Sequence, residues 1–178
     1  MNNIWRYVIT VDEGKAPCID NGLLTLCICK PVIRKGAKEG DWIMGFARKA
    51  IGTDLLVYIA KVDNKITIED YCSDSEPRLD KIFKLNEFGN LVHYGGKIHS
   101  DPKSQITDLS GKYCIVSNNF WYFGSDYVGL PLELGTLSWS GRGQTKRTTS
   151  SQLQALEEFV SFIPVGIHGS PEKHIHLD

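Results

Sequence analysis

No apolar run in this chain approaches the roughly 20 residues that would span a bilayer, and neither sign of charge is in excess. The 20 Lys and Arg stand against 21 Asp and Glu, for a formal net charge of -1. That balance argues against a whole-surface attraction to nucleic acid, so any anion site must be local. Phosphate-cradling glycine patterns are missing too. Gly141-Arg142-Gly143 lacks the further glycines and the strand-to-helix context of Walker and dinucleotide fingerprints, and no G-x-S-x-G motif occurs. Cys27-Ile28-Cys29 has the wrong spacing for a structural zinc knuckle and no second pair, while His168, His174 and His176 form no metal motif. The sequence implies no metal and no cofactor. The amino-terminal MNNIWRYVITVDEG has neither a long apolar core nor a small-residue cleavage site, and the five cysteines make no tight disulfide grid. These features predict a soluble cytoplasmic protein with reduced thiols.

Strand signals dominate what is present. Ile4 to Val11, Leu23 to Lys30, Trp42 to Phe46, Leu55 to Val62 and the span Gly111 to Gly124 are rich in β-branched and aromatic residues between polar turns. Thr67 is placed to cap a short helix with Glu69 and Asp70 in its first turn. Helical spacing is clearest from Ser150 to Ile163, where Leu153, Leu156, Phe159, Val160 and Ile163 recur on one face and Ser150 or Ser151 supplies the cap. From Cys72 to Ser110 the chain reads as polar and loop-rich. Such a pattern predicts one α+β domain over residues 1–178, built on a small curved sheet or β-barrel with flanking helices. A flexible loop is expected at about 138–149 and a polar carboxyl-terminal tail at about 168–178.

The most distinctive stretch is LTLCICKPVIRKGAKEGDWIMGF, Leu24 to Phe46, where positive charge lies between two apolar runs. Lysines of this kind protect exposed strand edges. Equally, Lys30 and Arg34 are suited to phosphate oxygens if the strand corner converges them. Trp42, Tyr94 and Tyr122 are candidates to stack on a base, with a core role as the alternative for each. Strand alternation separates Phe120 and Tyr122 from Trp121 and Phe123, so one pair is expected in the core and the other at a cleft. Asn119 is a candidate reader of a base edge, while Asp12, Cys29 and His93 are acid-base or nucleophilic candidates. Cys29 sits beside Lys30, and a neighbouring cation lowers a thiol pKa.

At RYVITVDEGKAP, LTLCICKPVIRKGAKEGDWIMG, LLVYIAKV and FWYFG the chain resembles the family called nucleotide modification associated domain 2, found in bacteria and phages. Where that pattern carries two adjacent cysteines before the lysine, this chain has Ile28-Cys29, so a mechanism needing the pair does not carry over. A looser likeness is to the PUA-like domains, including the EVE and ASCH groups, which hold a nucleobase in a small barrel. The resemblance implies a domain that binds a nucleotide or a modified base, free or in nucleic acid, with phosphate on Lys30 and Arg34 and stacking on Trp42, Tyr94 and Tyr122. Two alternatives follow from the same context: a nucleotide-modifying enzyme, and a protein-interaction subunit of a modification or defence system. Whether it is an enzyme stays open at this stage.

Overall fold

A computed structural model describes residues 2–141, 143–146 and 148–172. His174 and His176 of the expected tail lie outside these residues. In chain order the strands are β1 (Ile4–Ile9), β2 (Cys18–Asp20), β3 (Leu23–Leu26), β4 (Trp42–Ala47), β5 (Leu55–Lys61), β6 (Asn64–Thr67), β7 (Phe83–Leu85), β8 (Leu91–His93), β9 (Tyr113–Ser117), β10 (Phe120–Tyr122), β11 (Val128–Gly129), β12 (Gln144–Thr145) and β13 (Gly166–Ile167). The helices are α1 (Pro31–Gly36), α2 (Ile68–Ser73), α3 (Pro102–Ser110) and α4 (Ser150–Ser161), with a 3-10 helix at Leu132–Leu137.

The fold is mixed α+β with open sheets and flanking helices. One sheet runs β12-β1-β4-β5-β10-β13, with β11 also on β5; a second runs β2-β3-β9-β6; β7 and β8 form a hairpin. Of the two forms expected from sequence, the open sheet is the one observed. No closed barrel forms among the described residues, because the larger sheet ends on β12 and β13 without these edges pairing.

Why β4 reads as a continuous apolar run is clear from the layers: both faces of the larger sheet are covered. On one face Trp5, Tyr7 and Ile43 meet Leu24 and Leu26 of the second sheet. On the other, Met44, Phe46 and Ile59 meet Leu134, Leu137, Leu156 and Val160 from the 3-10 helix and α4. Asp41 fixes the corner entering β4, accepting the Asn3 N–H at 2.7 Å and the Trp5 indole N–H at 2.9 Å. Gly40 before it has φ +86°, a conformation that favours glycine.

Several boundaries differ from the sequence reading. The strand from Leu23 stops at Leu26, and Pro31 opens α1 where a polar turn was expected; proline, lacking an N–H, suits a first helical turn. Thr67 caps α2 as expected, accepting the Asp70 N–H at 3.0 Å. In α4 the cap is Thr149, one residue earlier than expected, and it forms a reciprocal capping box with Gln152. Leu156 and Val160 of that helix are buried and Leu153 packs against the same core. α3 was not expected at all. Its cap, Asp101, accepts the Ser104 N–H at 2.9 Å, with Pro102 opening the helix.

The expectation of reduced thiols is corrected at one pair. β3 and β9 are neighbours, so the chain leaving β3 brings Cys27 onto Cys114, and the two form a disulfide. Cys18, Cys29 and Cys72 are free.

Candidate active site

A cleft of about 530 Å³ opens where the carboxyl end of β1 meets the corner between β3 and α1. Tyr7, Cys29, Lys30 and His99 line it, with Ile9, Val11, Ile28 and Ile98 supplying apolar wall and Lys15 and Lys97 further charge. Four chain segments build it: β1, the loop from β1 to β2, the Cys29-Lys30 corner, and the loop from β8 to α3 that carries His99.

Cys29, His99 and Asp108 form a connected set. Asp108, buried on α3, accepts the backbone N–H of Cys29 on Oδ1 at 2.7 Å and faces His99 Nδ1 with Oδ2 at 2.5 Å. A carboxylate at Nδ1 holds the proton on that nitrogen and leaves Nε2 as the acceptor. Nε2 lies 3.8 Å from the Cys29 sulfur. The order is that of a nucleophile, a base and an orienting carboxylate.

The backbone is strained at the same place. Cys29 and Lys30 have φ of 58° and 41°, and His99 has 48°. Each left-handed non-glycine residue costs on the order of 1–2 kcal/mol, and such costs persist where the surroundings over-determine the conformation. Here the Asp108 contacts to Cys29 and His99 do so. His93, whose Nε2 lies 2.6 Å from the Ile98 carbonyl oxygen, pins the loop just before His99.

Burial pushes the Cys29 thiol up to about 11; Asp108 adds to the rise, while Lys30 and Arg34 oppose it. Cys29 therefore rests as a thiol, and a nucleophilic role for it would require a base to take its proton. Lys30 stays in the cleft with Nζ 4.5 Å from the Tyr7 ring centroid and 3.5 Å from the Val8 carbonyl oxygen. Burial lowers its pKa, and the neighbouring Cys29 raises it.

The sulfur, the imidazole and a carboxylate oxygen all lie within 4.8 Å of one another, and their types suit zinc. Asp108, however, faces the imidazole nitrogen turned away from the sulfur. Both Asp108 oxygens already have partners, the Cys29 N–H and the His99 ring, and the cluster holds three ligands where a structural zinc site has four, so the arrangement resembles a catalytic triad more closely.

The residues singled out from sequence are scattered. Lys30 and Cys29 line the cleft. Arg34 does not present itself to a ligand: it is fully buried and donates to the carbonyls of Cys29 at 2.7 Å, Cys27 at 2.5 Å, Tyr113 at 3.1 Å and Asp108. The charge cluster thus splits, since α1 turns Arg34 inward while the Cys29-Lys30 corner keeps Lys30 at the cleft. Trp42 is buried in the second core and stacked on Trp121, with ring centroids 5.8 Å apart. Tyr122 is buried and donates its hydroxyl to Asp12 at 2.5 Å. Asp12 is buried with it, and desolvation raises its pKa against the pull of that hydrogen bond. Both pairs of the Phe120 to Phe123 run are core, on opposite faces of the sheet, so the expectation of one cleft-lining pair is corrected. Tyr94 is exposed, with Lys84 5.7 Å from its ring centroid. Asn119 closes a turn by donating its side-chain amide to Asp63 at 3.0 Å. His99, Asp108 and Tyr7 were not singled out.

Among the described residues, no helix is long and apolar enough to cross a membrane. The family model described as nucleotide modification associated domain 2 matches residues 1–100 and again 80–177. No curated protein and no solved structure matches the chain.

Proposed function

Because the chain belongs to the nucleotide modification associated domain 2 family, we propose that it is an enzyme acting on a nucleotide or nucleobase through Cys29 as a covalent nucleophile. His99 Nε2 takes the thiol proton as the sulfur attacks, and Asp108 holds the ring and stabilises the imidazolium that forms. Lys30 supplies a cation for the negative charge that develops on the substrate as sulfur attacks.

One observation carries the reading: a single buried carboxylate holds both the Cys29 peptide and the His99 ring, leaving a free imidazole nitrogen on the sulfur. A pure binding module, read from sequence on Lys30, Arg34, Trp42, Tyr94 and Tyr122, has less support. Of those five residues only Lys30 lines the cleft.

Alkylation of the full chain with iodoacetamide, followed by peptide mass spectrometry, tests this. Cys29 is expected to be modified faster than free Cys72, to slow at least tenfold in His99→Gln, and to be protected by added nucleotides. Equal rates at Cys29 and Cys72, unchanged in His99→Gln, overturn the proposal. Protection by nucleotides without any dependence on His99 points to a binding module instead.

A further inference from the structure

We propose that the carbon attacked by Cys29 is C6 of a pyrimidine ring, so that the substrate class is a pyrimidine nucleotide and the step is a reversible conjugate addition. This rests on the cysteine-nucleophile reading and deepens it. A nucleotide offers several electrophilic centres, and each asks for a different set of partners.

Attack at phosphorus needs donors gathered around three phosphoryl oxygens. Arg34, beside the cleft, is committed to four backbone carbonyls, and Lys15 is paired with Glu13 at 3.1 Å, which leaves the two lysines Lys30 and Lys97 as lining cations for three oxygens. Displacement at the sugar C1′ uses two carboxyl groups flanking the bond. Among the described residues lining the cleft, the acidic one is Glu13, held in that same ion pair. Displacement of an exocyclic amine at C4 would reuse the His99 imidazolium as the acid for the leaving amine, but it leaves the ring on sulfur until a water is activated, a further step that addition at C6 does not need.

Addition at C6 has no leaving group. It asks for a soft nucleophile, a base for its proton and a cation for the oxyanion that develops on the ring. Cys29, His99 and Lys30 are those three, and they share one cleft. The cleft volume of about 530 Å³ falls in the range of small-ligand sites. Its apolar wall of Ile9, Val11, Ile28 and Ile98 suits a flat ring.

The step balances without an oxidant or a second substrate. The thiol proton passes to His99 Nε2 and a sulfur pair forms the S–C6 bond. The C5=C6 π pair shifts toward C4, leaving an enolate oxygen beside Lys30. A solvent-derived proton then adds at C5, while the His99 imidazolium returns its own to solvent, giving a 5,6-dihydro adduct. Reversal expels the thiolate and returns the pyrimidine, with its C5 hydrogen exchanged for one from solvent.

Proton NMR in deuterium oxide reads that exchange directly. The full chain is incubated with dUMP, with dCMP, with a single-stranded oligonucleotide containing deoxyuridine, and with dAMP as the purine control. H5 of at least one pyrimidine substrate is expected to disappear while H6 collapses to a singlet. Exchange is expected to vanish in Cys29→Ser and to fall at least about 100-fold in His99→Gln, the lower end of what a general base contributes. Exchange with dUMP or dCMP assigns a free nucleotide; exchange only in the oligonucleotide assigns a base in nucleic acid. No H5 exchange in any of the three, while Cys29 alkylation still depends on His99 and is blocked by nucleotides, overturns the pyrimidine assignment and leaves the proposed function standing. Loss of both signals overturns both.

Discussion

Asp108 accepts the peptide N–H of Cys29 at 2.7 Å and faces His99 Nδ1 at 2.5 Å, so one carboxylate fixes both the Cys29 backbone and the His99 ring. Their sequence separation is large: Cys29 follows β3, and Asp108 lies on α3 just ahead of β9, the strand that pairs with β3. Sheet register therefore sets the distance between nucleophile and orienting group. A shift of β9 by one residue would flip its side chains to the opposite face and displace the end of α3.

The Asp108→Asn variant separates orientation from charge. The carboxylate raises the Cys29 thiol pKa, so removing its charge is expected to move thiol ionisation, followed by ultraviolet absorbance, to lower pH. Pyrimidine H5 exchange is expected to fall at least about 100-fold in the same protein, because the ring loses the acceptor that fixes its proton on Nδ1. If Asp108 were only structural, stability would drop while H5 exchange in the folded protein stayed in place.

Arg34 gives the opposite result from the one its sequence context suggested. As a phosphate ligand, Arg34→Ala would weaken binding and spare the fold. Buried among four carbonyls, it is instead expected to destabilise the protein by at least about 3 kcal/mol, since each buried polar group left unpaired costs ~1–3 kcal/mol. Arg34→Lys should fail to restore stability, as an ammonium cannot reproduce the planar fork. Urea unfolding measures both; a midpoint unchanged in Arg34→Ala would show that the carbonyls find other partners.

Trp42 supplies a control for the aromatic candidates. Its ring belongs to the core shared with Trp121, Leu156 and Val160, on the side of the sheet opposite Tyr7. Trp42→Ala is expected to cost about 3–5 kcal/mol of stability while nucleotides still protect Cys29 in the folded fraction. Protection lost at temperatures where the variant is fully folded would place Trp42 at the ligand after all.

The differences between sequence and structure have a common physical origin. Strands β1, β4, β5 and β10 and helix α4 were legible because hydrophobic pattern and cap chemistry are local. For Cys29 and Lys30 the local signal was enough to set a cysteine and a cation together at a strand corner, where both line the cleft. His99 and Asp108 were hidden because their contacts with Cys29 exist only after α3 docks beside the β3 exit. A sequence signal for α3 was present in Asp101-Pro102, a capping residue followed by a helix-opening proline. Its polar composition masked that signal. Arg34 and Trp42 failed for a different reason: residue type announces what a side chain is able to bind, and topology decides whether it faces a cleft or a core.

The final expectation concerns alkaline pH. Burial raises the thiols of Cys18 to about 12 and of Cys29 and Cys72 to about 11, from an ordinary 9.0. The hydroxyls of Tyr7, Tyr58, Tyr71 and Tyr122 are raised above their ordinary 10.0 for the same first reason. A raised pKa in the folded state means that the fold keeps protons which the unfolded chain releases. Stability from these groups is thus fully present below the unfolded pKa and is lost as pH rises toward the folded one. Arg34 acts with the opposite sign: burial lowers it from 12.5 to about 10, so in that interval the unfolded chain holds more protons and stability rises with pH. Burial lowers Arg6, Lys30 and Lys65 as well, with the same sign as Arg34; three thiols and four buried phenols outnumber these four cations, and the net slope is negative. The thermal midpoint is expected to be level from pH 7 to 8.5 and to fall from about pH 9 upward. Cys72→Ala should make that fall shallower by close to one proton, about 1.4 kcal/mol per pH unit where the thiol is ionised only in the unfolded chain. A midpoint that held steady or rose between pH 9 and 11 would mean that these groups meet water in the folded protein.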